Sequence, residues 1–268
     1  MPEPARPRRG PPLASMLAAT TLVVPCYNEA ARLRPDRFLS FVDRVPGVRL
    51  LFVNDGSTDA TAAVLDALRE RLPDRIAVLG LERNAGKAEA VRRGVLRALD
   101  DGAGFVGYWD ADLATPLEAA IAFLRVLRRR PAVEMVMGSR VQLLGRMIER
   151  SPMRHYLGRV FATAASLVLR LPAYDTQCGA KLFRTTRRVR AAFERPFRSG
   201  WIFDVEIIAR LVTAPTGATR PPPDSIVWEY PLLEWRDVAG SKLKARDFGR
   251  AGLELARIWW DTRRGMRR

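Results

Sequence analysis

The sequence predicts an α/β domain with a mostly parallel central sheet and helices on both faces. Three observations carry this. Short apolar runs alternate five times with longer helical stretches between Thr21 and Gly138, the pattern of strands joined by helical crossovers. Polar loops follow the apolar runs directly, at the C-terminal strand ends where open α/β sheets collect ligands. The 268 residues are 48% apolar, enough for one sizeable core.

The first strand spans residues 21–25 and closes at Pro25, where the loop Cys26-Tyr27-Asn28-Glu29 begins. A helix covers 35–44 and the second strand 49–53. In the loop Asn54-Asp55-Gly56-Ser57-Thr58-Asp59, Ser57 or Thr58 is suited to cap the helix 59–71. The third strand is 75–79, and Asn84-Ala85-Gly86-Lys87 turns into a helix that reaches Leu99. The fourth strand, 105–109, runs into Asp110-Ala111-Asp112, and Thr115-Pro116 opens a helix 116–129. A fifth strand covers 134–138.

After Arg140 the pattern changes. Residues 140–159 are rich in bases and poor in strand signals, and 160–171 read as a mostly apolar helix. The polar stretch 175–179 leads into a strand through Lys181-Leu182-Phe183. Gly200-Trp201-Ile202-Phe203-Asp204-Val205-Glu206 enters a helix ending near Val212, followed by a Pro-rich linker over 215–224 and a short strand over 226–230. Residues 243–260 set Leu243, Phe248, Leu253, Leu255, Ile258 and Trp259 among many bases, a basic amphipathic helix. The chain therefore divides into a disordered Pro- and Arg-rich arm (1–19), a main domain (20–225), and a C-terminal strand and helix (226–268).

Lys and Arg number 45 against 29 Asp and Glu, a net charge of +16. So high a charge implies a polyanionic partner: nucleic acid, an anionic membrane face or phosphorylated substrates. Cys26 and Cys178 have neither metal nor disulfide spacing and read as reduced cytosolic thiols. The arm has no apolar stretch of signal-peptide type, and Met16 is an alternative start. The longest apolar candidate, 160–169, is bounded by Arg159 and Arg170 and falls well short of the ~20 residues of a span. The chain is expected to lie on a bilayer rather than cross it.

The centre of the pattern is Asp110-Ala111-Asp112. Two carboxylates one residue apart after a buried strand reach one small volume and repel each other unless a cation lies between them. Mg²⁺ and Mn²⁺ are hard ions, held typically by one or two carboxylates plus substrate phosphates. The competing use of the pair is a plain turn and helix cap. In the neighbouring loops, Asp55 is suited to accept a nucleobase N–H, Glu29 to hold a ribose hydroxyl, and Lys87 to meet a phosphate as a point charge. Asn54-Asp55-Gly56 is equally a good turn, and Lys87 a solvated helix start. Their convergence on one crevice favours the ligand reading.

Val24-Pro25-Cys26-Tyr27-Asn28-Glu29, Val53-Asn54-Asp55-Gly56-Ser57-Thr58-Asp59, Asn84-Ala85-Gly86-Lys87 and Asp110-Ala111-Asp112 resemble the successive motifs of inverting family-2 glycosyltransferases. That family has a Rossmann-like nucleotide-sugar domain called GT-A. Downstream, Gly138-Ser139-Arg140, Arg150-Ser151 with Arg154, Asp175-Thr176-Gln177-Cys178-Gly179 with Lys181-Leu182-Phe183, Trp201 with Phe203-Asp204-Val205-Glu206, and Gly240-Ser241-Lys242-Leu243 resemble the polyprenyl-phosphate branch. Within it they are most similar to dolichyl-phosphate β-glucosyltransferases, and less so to the mannosyltransferases. The resemblance runs from about residue 21 to 264. One departure is that the eukaryotic glucosyltransferases have an N-terminal membrane helix where this chain has a short polar arm.

The resemblance implies transfer of a hexose, glucose from UDP-glucose, to a polyprenyl or dolichyl monophosphate with inversion. GDP-mannose as donor is the alternative, as is a hydroxyl acceptor in polysaccharide or glycoprotein synthesis. Pro25, Tyr27, Glu29, Asp55, Lys87 and Asp110 would bind the donor, and Asp110 and Asp112 a Mg²⁺ or Mn²⁺ ion. Arg140, Arg150, Ser151 and Arg154 would bind the acceptor phosphate, and Asp110, Asp112 and Arg140 would carry catalysis. A hydroxyl acceptor would instead need Asp204 or Glu206 as general base. His155, the single histidine, reads as a polar neighbour of the basic loop. Nucleic acid is not an expected partner, because no stacking aromatics interleave the bases. The expected place is the cytosolic membrane face, held peripherally through 160–171 and the C-terminal helix.

Overall fold

The computed structural model describes residues 20–149, 152–214, 221–236 and 245–266, with backbone alone at 152–157, 245–250 and 264–266. The first half follows a strand–helix rhythm: β1 (Thr20–Cys26), α1 (Pro35–Arg44), β2 (Val48–Asn54), α2 (Thr61–Arg71), β3 (Ile76–Gly80), α3 (Lys87–Asp100), β4 (Phe105–Trp109), α4 (Ala119–Arg129) and β5 (Met135–Ser139). Then come β6 (Met147–Glu149), α5 (Pro152–Leu169), β7 (Ala180–Arg184), α6 (Arg187–Glu194), α7 (Phe203–Thr213) and the single turn α8 (Pro223–Ile226). The described chain ends with β8 (Val227–Pro231), β9 (Glu234–Arg236) and α9 (Ala245–Met266).

Seven strands form one sheet in the order β3-β2-β1-β4-β7-β5-β8. β1 lies parallel to both β2 and β4, so the chain winds outward in opposite directions from the β1/β4 boundary. That reversal opens a crevice at the C-terminal strand ends. β7 runs antiparallel between β4 and β5, the one exception to the parallel order. β8 pairs along β5 from Met135↔Val227 to Ser139↔Pro231, so the main sheet continues past residue 225, where the sequence reading closed the domain. A separate parallel ribbon joins β6 to β9. The sequence reading assigned no element at β6, β9 or α6.

Side chains alternate across the sheet with the period of two that strands impose. Val23, Val106 and Tyr108 point into a core capped by α3, α5, α6, α7 and α9. Leu22, Val24 and Trp109 point into a second core under α1, α2 and α4. α1 begins with Pro35 and Asp36, where a ring without an N–H and an acidic side chain suit a first turn. α9 buries Ala251, Leu255, Ile258 and Thr262, one stripe of a helix. The apolar face read from the sequence as a membrane anchor is thus largely spent on the core, leaving Leu253 and Trp260 outward. Among the described residues no helix is long and apolar enough to cross a membrane.

Candidate active site

Four loops meet at the crevice, and hydrogen bonds tie them together. The Asn28 N–H donates to Ser57 Oγ at 3.0 Å, and the Glu29 N–H to Thr61 Oγ1 at 2.8 Å. In return the Thr58 N–H donates to Asn28 Oδ1 at 2.9 Å. Asp55 is buried; its two oxygens accept the N–H groups of Ala85 at 2.8 Å and Gly86 at 2.9 Å. Asp55 therefore braces the β2 loop against the β3 loop before it meets any ligand. Tyr27 lies exposed at the rim, and Pro25 in β1 stands beside Val53. Glu29 pairs with Arg32 through Oε1, while its Oε2 is buried with no partner. Burial raises the Glu29 carboxyl; Arg32 opposes the shift, and the charges of Asp112 and Asp110 add to it.

Asp110 follows β4 directly. Its N–H donates to the Gly179 carbonyl at 3.0 Å, and its Oδ1 lies 2.6 Å from Lys87 Nζ. Gly179 leaves the room this carboxylate needs, because a Cβ there would stand within 2.7 Å of Asp110 Oδ1 and nearer still to Oδ2. The chain then turns tightly, with Leu113 at φ +54 and its N–H bonded to the Asp110 carbonyl at 3.2 Å. Asp112 Oδ1 accepts the Ala114 N–H at 3.0 Å. Burial and the charge of Asp110 hold the Asp112 carboxyl above its usual range. Burial pulls the Lys87 ammonium down, yet the carboxylates of Asp110, Asp204 and Asp112 outweigh it and the net shift is upward.

These residues fit a divalent cation. The donors are hard oxygens, and the Glu29 and Asp112 carboxyls are both held up by burial first and by neighbouring negative charge second, the part that a cation would relieve. Among the described residues no three His, Cys, Asp or Glu side chains are grouped to hold a metal on protein ligands alone. The rest of a coordination shell falls to phosphate oxygens and water, the habit of Mg²⁺ at phosphate sites.

Across the crevice, Arg140 forks onto Asp175, with Nε to Oδ2 at 2.5 Å and Nη2 to Oδ1 at 2.8 Å. Its guanidinium lies 5.2 Å from the Trp235 ring centre. Burial works against the charge of Arg140, but Asp175 dominates and raises its pKa, and the charge of Asp110 reaches it too. Asp175 is positioned in turn by Glu229, which accepts the N–H groups of Tyr174 at 2.8 Å and Asp175 at 2.6 Å. Arg150 and Ser151 lie outside the described residues, and so do the side chains of Arg154 and His155.

Beneath the site is a buried polar group whose pairing the sequence reading did not give. Lys181 is fully buried in β7; its Nζ donates to the Cys178 carbonyl at 2.6 Å and to Asp204 Oδ1. Tyr108 Oη donates to the same Asp204 oxygen. Burial pushes the Tyr108 hydroxyl well above its ordinary pKa, and the Asp204 charge adds to the shift. The available signal was Lys181 itself, a lysine in phase with the core-facing Phe183. Glu206 accepts the N–H groups of Arg198 and Ser199, the Ser199 hydroxyl and Arg210. Both carboxylates that a hydroxyl acceptor would need as base are thus buried and already bonded.

Comparison with known proteins gives the family. Residues 21–186 match the family model described as Glycosyl transferase family 2. A dolichyl-phosphate beta-glucosyltransferase of Trichomonas vaginalis is 31% identical over 254 residues, covering 89% of this chain and 70% of that protein. The Drosophila melanogaster protein of the same description is 32% identical over 259 residues, covering 89% and 74%. Among solved structures, glucosyl-3-phosphoglycerate synthase from Mycobacterium tuberculosis, in complex with Mn²⁺, UDP-glucose and phosphoglyceric acid, superposes with a TM-score of 0.64 at 17% identity. The match covers 95% of this chain and 85% of that one.

Proposed function

The chain belongs to glycosyl transferase family 2 and has the GT-A fold, and from that premise we infer that it transfers glucose from UDP-glucose to a polyprenyl or dolichyl monophosphate, inverting the anomeric centre. The observation that carries this reading is the Asp110–Asp112 pair with Lys87 at the meeting point of four laced loops. The dolichyl-phosphate glucosyltransferases at about 30% identity over most of the chain support the acceptor class. The UDP-glucose and Mn²⁺ named for the structural neighbour support donor and metal.

On this reading the donor lies across the β1 and β2 loops. Tyr27 and Pro25 flank the base, and the unpartnered Glu29 oxygen accepts a ribose hydroxyl. Asp55 keeps the loops in place and offers its remaining lone pairs to the base. Lys87 meets the diphosphate as a cation, and Asp110 and Asp112 hold Mg²⁺ or Mn²⁺. The ion, when bound, offsets the charge that gathers on the leaving diphosphate. The acceptor is a phosphate monoester with a second pKa of about 6, already anionic at neutral pH. It needs positioning cations rather than a base, in keeping with the closed partners of Asp204 and Glu206. Arg140 supplies the terminal nitrogen that Asp175 does not take, joined by Arg150, Ser151 and Arg154. The enzyme works peripherally at the cytosolic membrane face, where its lipid acceptor is held.

The test is a screen of radiolabelled nucleotide sugars against polyprenyl phosphate, scored by extraction of label into organic solvent. UDP-glucose is expected to give the strongest lipid-linked signal. Excess chelator, or Asp110→Ala, is expected to abolish it while the folded protein persists. Full transfer in chelator refutes the metal assignment, and transfer from GDP-mannose alone refutes the donor.

A further inference from the structure

The crevice ends in a bare apolar tip. β5 leaves it at Ser139, and residues 140–146 loop outward before β6 returns along β9. The Arg146 N–H donates to the Leu143 carbonyl at 3.1 Å, closing a tight turn in which Gly145 takes φ +79, a conformation glycine adopts readily. This turn holds Leu144 fully exposed, with Leu143 48% and Met147 58% exposed beside it. Leu233, 62% exposed, joins them from the chain entering β9, where its carbonyl accepts the Met147 N–H at 3.0 Å. Four large apolar side chains from two segments thus stand together in water, a pattern that marks an interaction surface.

Two further facts say what covers it. Across residues 141–148 the one charged side chain is Arg146, and at the root Glu234 is paired with Arg236, so the turn is apolar with a single base and no acid of its own. That combination suits an anionic lipid bilayer, where apolar side chains enter below the headgroups and bases face them. The tip is also rooted in the site, because Ile148 and Trp235 are buried at its base and Trp235 underlies Arg140. We propose that Leu143, Leu144, Met147 and Leu233 insert into an anionic bilayer and so seat the mouth of the crevice at the membrane surface. This rests on the polyprenyl-phosphate reading, since a membrane-held acceptor is what requires the mouth to meet the bilayer.

Both native cysteines are buried, so a cysteine introduced by Leu144→Cys is selectively labelled with an environment-sensitive fluorophore. On phosphatidylcholine vesicles containing phosphatidylglycerol its emission is expected to shift to the blue. The same label at Arg71→Cys, on the far end of α2, is expected not to respond. The double variant Leu143→Asp, Leu144→Asp changes exposed residues only and is expected to melt with the parent. Its vesicle affinity falls about ten- to a hundredfold, the scale of keeping a leucine side chain in water. Transfer to long-chain polyprenyl phosphate in vesicles falls with it, while transfer to a short water-soluble prenyl phosphate is unchanged. No blue shift, or parental sedimentation and transfer by the double variant, overturns the proposal; a tip that belongs to a protein partner gives that result. A parent inactive on both acceptors overturns the acceptor reading instead, and the fluorescence shift then decides the tip by itself.

Discussion

Gly179→Ala tests the site at a point where one methyl group meets one functional atom. The backbone of Gly179 is not in the left-handed region, so alanine adds no strain of its own there. The three nearest heavy atoms to the added Cβ all belong to the Asp110 carboxylate, and the farthest of them, Oδ1, is 2.7 Å away. Ordinary contact begins at 3.4 Å. The carboxylate must therefore move by something on the order of an ångström, away from the position in which Lys87 and Asp112 flank it. A misplacement of that size at a reacting centre costs about 10²-fold in rate, or ~2.7 kcal/mol. The fold is expected to lose only about 1 kcal/mol, the low end for overpacking, because the displaced group is a side chain. The assay is initial-rate transfer from UDP-glucose over a Mn²⁺ titration, beside a thermal melt. The expected result is a rate down about a hundredfold, a raised Mn²⁺ requirement and a Tm lower by about 2–4 °C. Gly252→Ala, in α9 with nothing within 4 Å, is the control. It should keep full activity and gain about 0.5–1 kcal/mol of helix stability. A Gly179→Ala protein with parental rate and parental Mn²⁺ dependence would refute the claim that the Asp110 carboxylate must stand where the structure puts it.

Other outcomes follow from the same geometry. Lys181→Met strips the buried Asp204 of its cation and should cost about 3–5 kcal/mol in thermal melts; adding Asp204→Leu should recover part of that, and a melt unchanged by the single variant would contradict the pairing. Arg140→Lys replaces a fork on Asp175 with a point charge, so transfer should slow about tenfold or more with the donor KM held; a collapse of donor affinity would move Arg140 to the nucleotide-sugar side. Burial raises the Cys26 thiol, and burial with the Asp175 charge pushes Cys178 up to about 11. The native protein should therefore resist thiol reagents at pH 8 and react only on unfolding, and prompt labelling of the folded protein would count against the core as described.

The first half of the fold was legible because its strands and helices are local and regularly punctuated. α1 occupies 35–44, as the pattern of Pro35, Phe38, Phe41 and Val42 indicates, and β4 occupies 105–109 as read. What the sequence could not show is pairing. β7 slips antiparallel between β4 and β5, a choice made by contacts such as Val106↔Phe183 and not by local propensity. α6 was missed although Thr186 caps it by accepting the Val189 N–H at 3.1 Å, because three arginines break up its four apolar residues. β6 and β9 are three-residue strands, too short for any periodicity to speak.

The same limit governs the site. Motif and spacing identify which side chains have the right chemistry, but not whom they meet first. Asp55 meets the amides of Ala85 and Gly86, Asp175 meets Arg140, and Glu206 meets the loop at Arg198 and Ser199. Each is an acid in a motif, and each spends its charge on holding a loop or a cation of the protein itself. Asp110 and Asp112 also have partners, Lys87 and the Ala114 N–H, but they are set apart by standing together. Burial and the charge of Asp110 raise the Asp112 carboxyl, and beside them the Glu29 oxygen has no partner. Three carboxylates gathered against Lys87 and Arg32 leave negative charge that a bound ion can use, so the functional carboxylates are recognised by their crowding. That criterion needs coordinates, and it separates the pair after β4 from the other acids of the motifs.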